Sequence, residues 1–174
     1  MLGLKGDIMN KDIIEVIKSK KLLNSLGPSN MKKIEKAEET LGLKFSEEYI
    51  KYLLEFGAVT YYGTELSGLV TEEDEEKGFY FSVVDETLEE KEYDDTVPEN
   101  MYIVEDLGVD GALAWQDETG AVYYKYRFDD NLQKAADSLA EYLEIEELDE
   151  EDLEIIEKLM EEGSYTTFDD EDID

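Results

Sequence analysis

The spacing of apolar residues changes near residue 57 and changes back near residue 131, and this order restricts the possible folds more than any other feature. Up to Phe56 the spacing is helical. Met9, Ile13, Val16, Ile17 and Leu23 mark a first helix within 7–26, broken by Gly27-Pro28-Ser29. Ser29 or Asn30 caps a second, with Ile34, Ala37, Glu38 and Leu41 on one side and Gly42 at its end. Ser46 caps a third. Glu47 and Glu48 fall in its first turn, where the helix dipole favours anions, and Gly57 stops it. Tyr49, Leu53 and Phe56 form its apolar stripe.

Beyond Gly57 the apolar segments become short and rich in β-branched and aromatic residues: 59–62, 66–70, 79–84, 101–104, 112–116 and 121–126. Asp117-Glu118-Thr119-Gly120 joins the last two as a hairpin loop with glycine where positive φ is needed. Residues 71–77 and 85–98 are acidic connections. Helical spacing returns at Leu132, Ala136, Leu139 and Leu143, and again from Asp149 with Leu153, Ile156, Leu159 and Met160. Blocks of helices, strands and helices predict an α+β fold. Its expected parts are N-terminal helices, a mostly antiparallel curved sheet of about six strands, and C-terminal helices packed on it. The expected divisions are an N-terminal helix in 1–28, an α+β domain in 29–145, and an acidic helix and tail in 146–174.

Charge narrows the function. Residues 1–44 hold nine lysines against six acids, a net of +3, whereas residues 45–174 hold seven basic residues against forty-two acids, a net of −35. Such a field repels nucleic acid and anionic membrane and speeds encounter with a basic protein. The chain has no histidine and no cysteine, so the usual general base, thiol nucleophile and zinc ligands are missing. Arg127 is the one arginine, so no arginine cluster can clamp phosphate. No apolar run approaches the ~20 residues of a membrane span, and the start lacks a signal-peptide pattern, which together predict a cytoplasmic protein. Neither a Gly-x-Ser-x-Gly turn nor a phosphate-binding glycine loop occurs. Asp106-Leu107-Gly108-Val109-Asp110-Gly111 departs from the spacing of a calcium loop. The expectation is a binding protein with no catalytic residues, no cofactor and no metal.

The stretch from Ile34 to Gly57 resembles the signature of the SUKH superfamily: Ile34-x-x-x-Glu38, Leu41-Gly42, then Tyr49 and Leu53-Leu54 before Gly57. Segments 62–69, 102–104, 111–115, 120–124 and 136–143 resemble its later strands and closing helix, so the likeness spans roughly 29–145. Ser46 stands where the family usually has proline, and Phe56-Gly57-Ala58 where an Asn-Gly-Gly type of turn is common. The resemblance implies helices packed on a curved sheet. It also implies an immunity protein, as in many bacterial members, that neutralises a polymorphic toxin, often a nuclease. The alternative it implies is a regulatory scaffold, as in fungal members, binding an endogenous basic partner.

With the charge, this predicts stoichiometric occlusion of a basic toxin by a monomer or weak dimer, with no direct contact to nucleic acid or membrane. The expected contact residues are the acids Glu72, Glu73, Asp74, Glu75, Glu76, Glu92, Asp94 and Asp95, together with the aromatic residues Tyr61, Tyr62 and Tyr124. The alternative reading of these acids is solvated loop charge that aids solubility; net charge of magnitude about 2–8 suffices for that in a small domain, and the excess keeps the contact-surface reading open. Thr166–Asp174 is expected to be a disordered tail, and the last helix and tail together, Asp149–Asp174, to be either a solvated appendage or a mobile acidic arm that wraps a basic partner.

Overall fold

A computed structural model describes residues 12–108, 111–145, 155 and 158. The expected stripe at Leu153, Ile156, Leu159 and Met160, the tail 166–174, Met9, and Val109-Asp110 lie outside the described residues. The chain divides into two compact units, Met1–Glu144 and Ile145–Asp174. Within the second, Ile155 and Lys158 are helical.

The first unit is α+β, as the order of elements predicts. α1 (Ile13–Lys18) starts at Asp12, whose Oδ1 accepts from Ile14 N. It buries Ile13, Val16 and Ile17 in the same core as the later helices. After β1 (Asn24–Ser25), α2 (Met31–Leu41) begins at Asn30, whose Oδ1 accepts from Lys33 N at 2.9 Å, and ends at left-handed Gly42. Its buried side is Ile34, Ala37, Glu38 and Leu41. Glu38 has a reason to be there: its Oε2 accepts from Phe45 N at 2.9 Å and fixes the turn into α3 (Glu47–Phe56).

Two antiparallel sheets follow instead of one. β2 (Val59–Tyr61) and β3 (Thr64–Leu66) pair with β1 in the order β1-β2-β3. Tyr62 (φ 47°) and Gly63 (φ 77°) join β2 to β3 with Tyr61 opposite Thr64, a type I′ hairpin. β4 (Tyr102–Asp106), β5 (Ala112–Gln116), β6 (Val122–Tyr126) and β7 (Gln133–Ala136) form the second sheet in chain order. The chain leaves β3 at Ser67, whose N–H donates to Val104 O at 2.9 Å and so links the two sheets.

Several expected elements changed type. Segment 79–84 is not a strand: Gly68 and Ser82 form an isolated parallel bridge, and Ser82 caps α4 (Val83–Tyr93) through Asp85 N. The acidic connection 85–98 is therefore mostly helix. Residues 71–77 contain a 3-10 helix, Glu72–Lys77. The helix expected from Asn131 begins only with α5 (Leu139–Ile145), because Gln133–Ala136 pairs along β6. β3 stops at Leu66 because the following amides pair elsewhere, Ser67 N with Val104 O and Gly68 N with Phe81 O, and Gly68 passes so close to Gly57 that a Cβ on it would lie 2.0 Å from Gly57 O.

Strands β4 and β5 of the four-stranded sheet are buried on both faces, whereas β7 is largely exposed. Tyr102, Val104, Ala114 and Val122 meet the helices. Ile103, Leu113 and Trp115 form a smaller core with Val97 and Met101, against which Tyr123 packs. A bulge between Ile103 and Glu105 places Val104 and Glu105 both inward, and Glu105 Oε1 there accepts from Tyr142 Oη at 2.6 Å.

A buried polar hub joins these layers. Ser46 caps α3 and its N–H donates to Tyr102 Oη at 3.0 Å, a bond that a proline at this position could not make. Tyr102 Oη and Ser46 Oγ both donate to Gln116 Oε1, at 2.7 and 3.2 Å. Gln116 Nε2 donates to Gly120 O at 2.9 Å and Glu48 Oε1 at 3.2 Å. Glu48 in turn accepts from Leu139 N and Ala140 N at 2.6 and 2.9 Å, capping α5 from a distant helix. Around the hub the rings of Phe45, Tyr49, Tyr52 and Tyr102 meet edge-on or tilted with centroids 4.8–5.3 Å apart, pairs worth about 0.5–1.5 kcal/mol each beyond their burial. Gln116→Leu leaves several of these groups buried without partners. We expect it to lower the unfolding free energy by about 2–4 kcal/mol, read as an earlier midpoint in urea at unchanged slope.

Candidate protein-binding surface

The acids expected to meet a partner fall into different structural roles. Glu72, Glu73, Glu75 and Glu76 are exposed on the 3-10 helix. Asp74 is half-buried and folds that helix: its Oδ2 accepts from Thr71 N at 2.9 Å and Thr71 Oγ1 at 3.0 Å. These bonds, led by the Thr71 amide and aided by Lys77 and Lys33, hold its carboxyl below the usual range. Glu92 and Asp95 are exposed.

Asp94 corrects the expectation. It is 2% exposed and pairs with Lys125 Nζ at 2.9 Å. Burial alone would raise its pKa. Hydrogen bonds from Thr96, from the Phe128 amide and from Lys125 outweigh that and hold the carboxyl well below the usual carboxylate range.

The aromatic expectations also need correction. Tyr61 is buried, with Lys20 Nζ 5.6 Å from its ring centroid. Lys20 is itself buried and donates to Leu143 O at 2.8 Å. Tyr62 is half-buried in its hairpin turn. Tyr124 is half-buried and meets the core ring of Tyr142 edge-on, at 5.9 Å. The strand alternation gives the reason, since Tyr124 lies on the helix-facing side with Val122. Among the described residues, the rings most open to solvent are Tyr93 (69%), Phe128 (67%), Tyr80 (62%) and Tyr126 (48%). Tyr93 lies within an acid run and Phe128 in a turn, where hydrophobic periodicity gives no signal.

Helix α4 organises this side of the molecule. Val83, Thr87, Glu90 and Asp94 recur at helical spacing and face inward. Val83 enters the core and Thr87 Oγ1 accepts from Ile103 N at 3.0 Å. Glu90 Oε1 accepts from Arg127 Nε at 2.7 Å. The other side exposes Asp85, Leu88, Glu89 and Glu92. An amphipathic helix normally docks by an apolar stripe; this one docks largely by polar contacts and shows acid to solvent.

The available cations do little to neutralise the surface. Lys18, Lys51 and Lys77 each lie 3.7–3.9 Å from a carboxylate. Lys134 pairs with Asp137. Near α4, Glu65 Oε2 accepts from Tyr80 N and Phe81 N at 2.7 and 2.9 Å. Glu86 is pushed up from 4.5 to about 8, by burial first and by the charges of Asp106, Glu65 and Glu89, against a lowering bond from Ser67 Oγ. An open cleft of about 910 Å³ between the starts of α3 and α5 is lined by Asp12, Glu47, Glu48, Glu118 and Asp137, with Lys51 as its cation. Among the described residues no group of three or more acids could hold a metal ion, and no helix is long and apolar enough to cross a membrane.

The raised pKa of Glu86 makes stability fall with rising pH. The folded chain keeps a proton that the unfolded chain gives up above 4.5, so this contribution is lost between 4.5 and about 8. Glu86→Gln is expected to raise the unfolding free energy by roughly 1–2 kcal/mol at pH 9, allowing for its partial exposure, and to leave it unchanged near pH 4. Denaturant titrations at the two pH values measure the difference.

Comparison with curated protein sequences gives no match. The family model SUKH_5, described as SMI1-KNR4 cell-wall, matches residues 10–149, most of the chain. The match extends the likeness through α1, consistent with the packing of Ile13, Val16 and Ile17 in the main core. Such proteins are immunity or regulatory proteins, bind other proteins and are generally non-enzymatic. With its α+β architecture, its Ile34-x-x-x-Glu38 helix and its matched span of 10–149, the chain belongs to the SUKH superfamily.

Proposed function

We propose that this protein is a cytoplasmic immunity protein that binds a basic toxin, most simply a nuclease domain, and blocks it by stoichiometric occlusion. The observation that carries this reading is the placement of acid. Glu72, Glu73, Glu75 and Glu76 project from the 3-10 helix, and Asp85, Glu89 and Glu92 from α4. Both elements are fixed at their starts by side-chain bonds, Asp74 to Thr71 and Ser82 to Asp85 N. Carboxylates carried on fixed backbone can occupy the positions that substrate phosphates take on a basic enzyme, with little backbone ordering on binding. Family membership supports a protein partner, and the net charge of −35 over residues 45–174 supports a basic one. The protein acts as a monomer or weak dimer and needs no cofactor.

A second reading is a regulatory scaffold that binds an endogenous basic protein, favoured by the cell-wall description of the matched family model. The two differ in gene neighbourhood, since an immunity gene sits beside the gene for its toxin.

The test is binding to the purified product of the adjacent gene, with and without salt, and protection of cells that express it. A 1:1 complex that abolishes toxicity is the expected result. The variant with Glu72, Glu73, Glu75 and Glu76 all changed to Gln should slow association roughly tenfold at ~0.01 M salt, with a much smaller effect at ~0.15 M, because screening shortens the field from about 30 to about 8 Å. No complex at low salt, or no toxicity in the neighbour, would refute the immunity reading.

A further inference from the structure

Phe128 holds a large ring in solvent on a backbone that disfavours it. Asp129 N donates to Tyr126 O at 3.2 Å, closing a four-residue turn with Phe128 third and at φ 64°. That position normally takes glycine or asparagine, because a side chain at positive φ crowds the backbone. The ring is 67% exposed, so its own burial does little to offset the strain.

Bonds from neighbouring elements impose the conformation. Asp94 Oδ2 accepts from Phe128 N at 2.7 Å and from Lys125 Nζ at 2.9 Å. Lys125 also donates to Tyr126 O at 3.1 Å, and Arg127 is held by Glu90 Oε1 and, through its N–H, by Gly111 O. The side chains of Asp94 and Lys125 are each 1% exposed. A buried ion pair is a poor way to gain stability, since removing both charges from water offsets most of their attraction. Here the pair fixes the turn that presents Phe128.

The same carboxylate ends α4, whose last residue, Tyr93, is 69% exposed and whose outward side carries Leu88 at 41%. Glu89, Glu92, Asp95, Asp129 and Asp130 in these segments are exposed. The cations among them are already engaged: Lys91 Nζ donates to Glu99 O at 2.8 Å, Lys125 to Asp94 and Arg127 to Glu90. Two exposed aromatic rings thus stand on segments that Asp94 joins and that carry exposed carboxylates.

We propose that the Phe128 turn and the end of α4 form the anchor of the partner interface, and that they take an arginine-rich face of a basic protein. Guanidinium groups stack on the rings of Phe128 and Tyr93 while Glu89, Glu92 and Asp95 accept their N–H bonds. Rigid aromatic side chains held ready in the free protein are the kind of residue that dominates interface energy. This rests on the reading of a basic protein partner. It assigns the slow dissociation of the complex to this turn and its fast association to the acids of the 3-10 helix.

Phe128→Gly separates strain from binding, because glycine suits the turn. The full chain carrying it, and one carrying Tyr93→Ala, are to be compared with the unsubstituted chain for melting temperature and for binding to the purified product of the adjacent gene at ~0.15 M salt. Phe128→Gly should melt at the same temperature or about 2–4 °C higher. It should bind at least tenfold more weakly through faster dissociation, and Tyr93→Ala should bind several-fold more weakly. Unchanged binding by both variants, with the unsubstituted chain binding normally, overturns the anchor and leaves the partner reading intact. A large fall in melting temperature for Phe128→Gly shows that the ring serves the fold and also overturns it. Failure of the unsubstituted chain to bind overturns both.

Discussion

The structure depends most on the buried amide of Gln116. One side chain on β5 connects the cap of α3, the ring of Tyr102 on β4 and, through Glu48, the first amides of α5. Each element brings a polar group into a dry region, and each group finds its partner only when the others are in place. An unmet hydrogen bond there costs about 1–3 kcal/mol, so helices and sheet are tied to one arrangement rather than to general apolar contact. Burial alone would raise the pKa of Glu48 far more. The bonds from Ala140, Leu139 and Gln116 oppose that rise, although the carboxyl remains above its ordinary value.

The same principle lets a chain this acidic form a body with a dense exterior charge. Acids that must be inside have dedicated donors: Glu38 takes Phe45 N, Glu105 takes Tyr142 Oη, and Asp94 takes Lys125, Thr96 and Phe128 N. Glu48 and Glu86 are partly buried, and most of the other described acids lie on outward sides, where water solvates them. Helix α4 shows both solutions on one element, with Glu90 and Asp94 anchored below and Asp85, Glu89 and Glu92 presented above. The inward acids thereby orient the helix that displays the outward ones.

The helical half of the fold was legible in the sequence because its signals are local. Asn30, Gly42, Ser46 and Gly57 mark helix ends through bonds or φ values set within a few residues. The strands at 112–116 and 122–126 were legible for the same reason, with Gly120 marking their hairpin. Helix α4 was hidden because, after Val83, its inward residues are Thr87, Glu90 and Asp94, which apolar periodicity does not count. β7 was hidden because Ala135 and Ala136 fit a helix or a strand, and pairing with β6 decided between them.

The candidate surface divides in the same way. The sequence by itself determined the sign and size of the charge, the absence of His and Cys chemistry, the α+β class and the family likeness, since each follows from residue type or short spacing. Only the tertiary structure decided which acids face water. Asp94 and Asp95 are neighbours in the chain, yet one is an internal anchor to Lys125 and the other is exposed. It also decided which rings are open to solvent, burying Tyr61 beneath Lys20 and leaving Phe128 outside. Exposure depends on residues more than thirty positions away, and no local pattern encodes that distance.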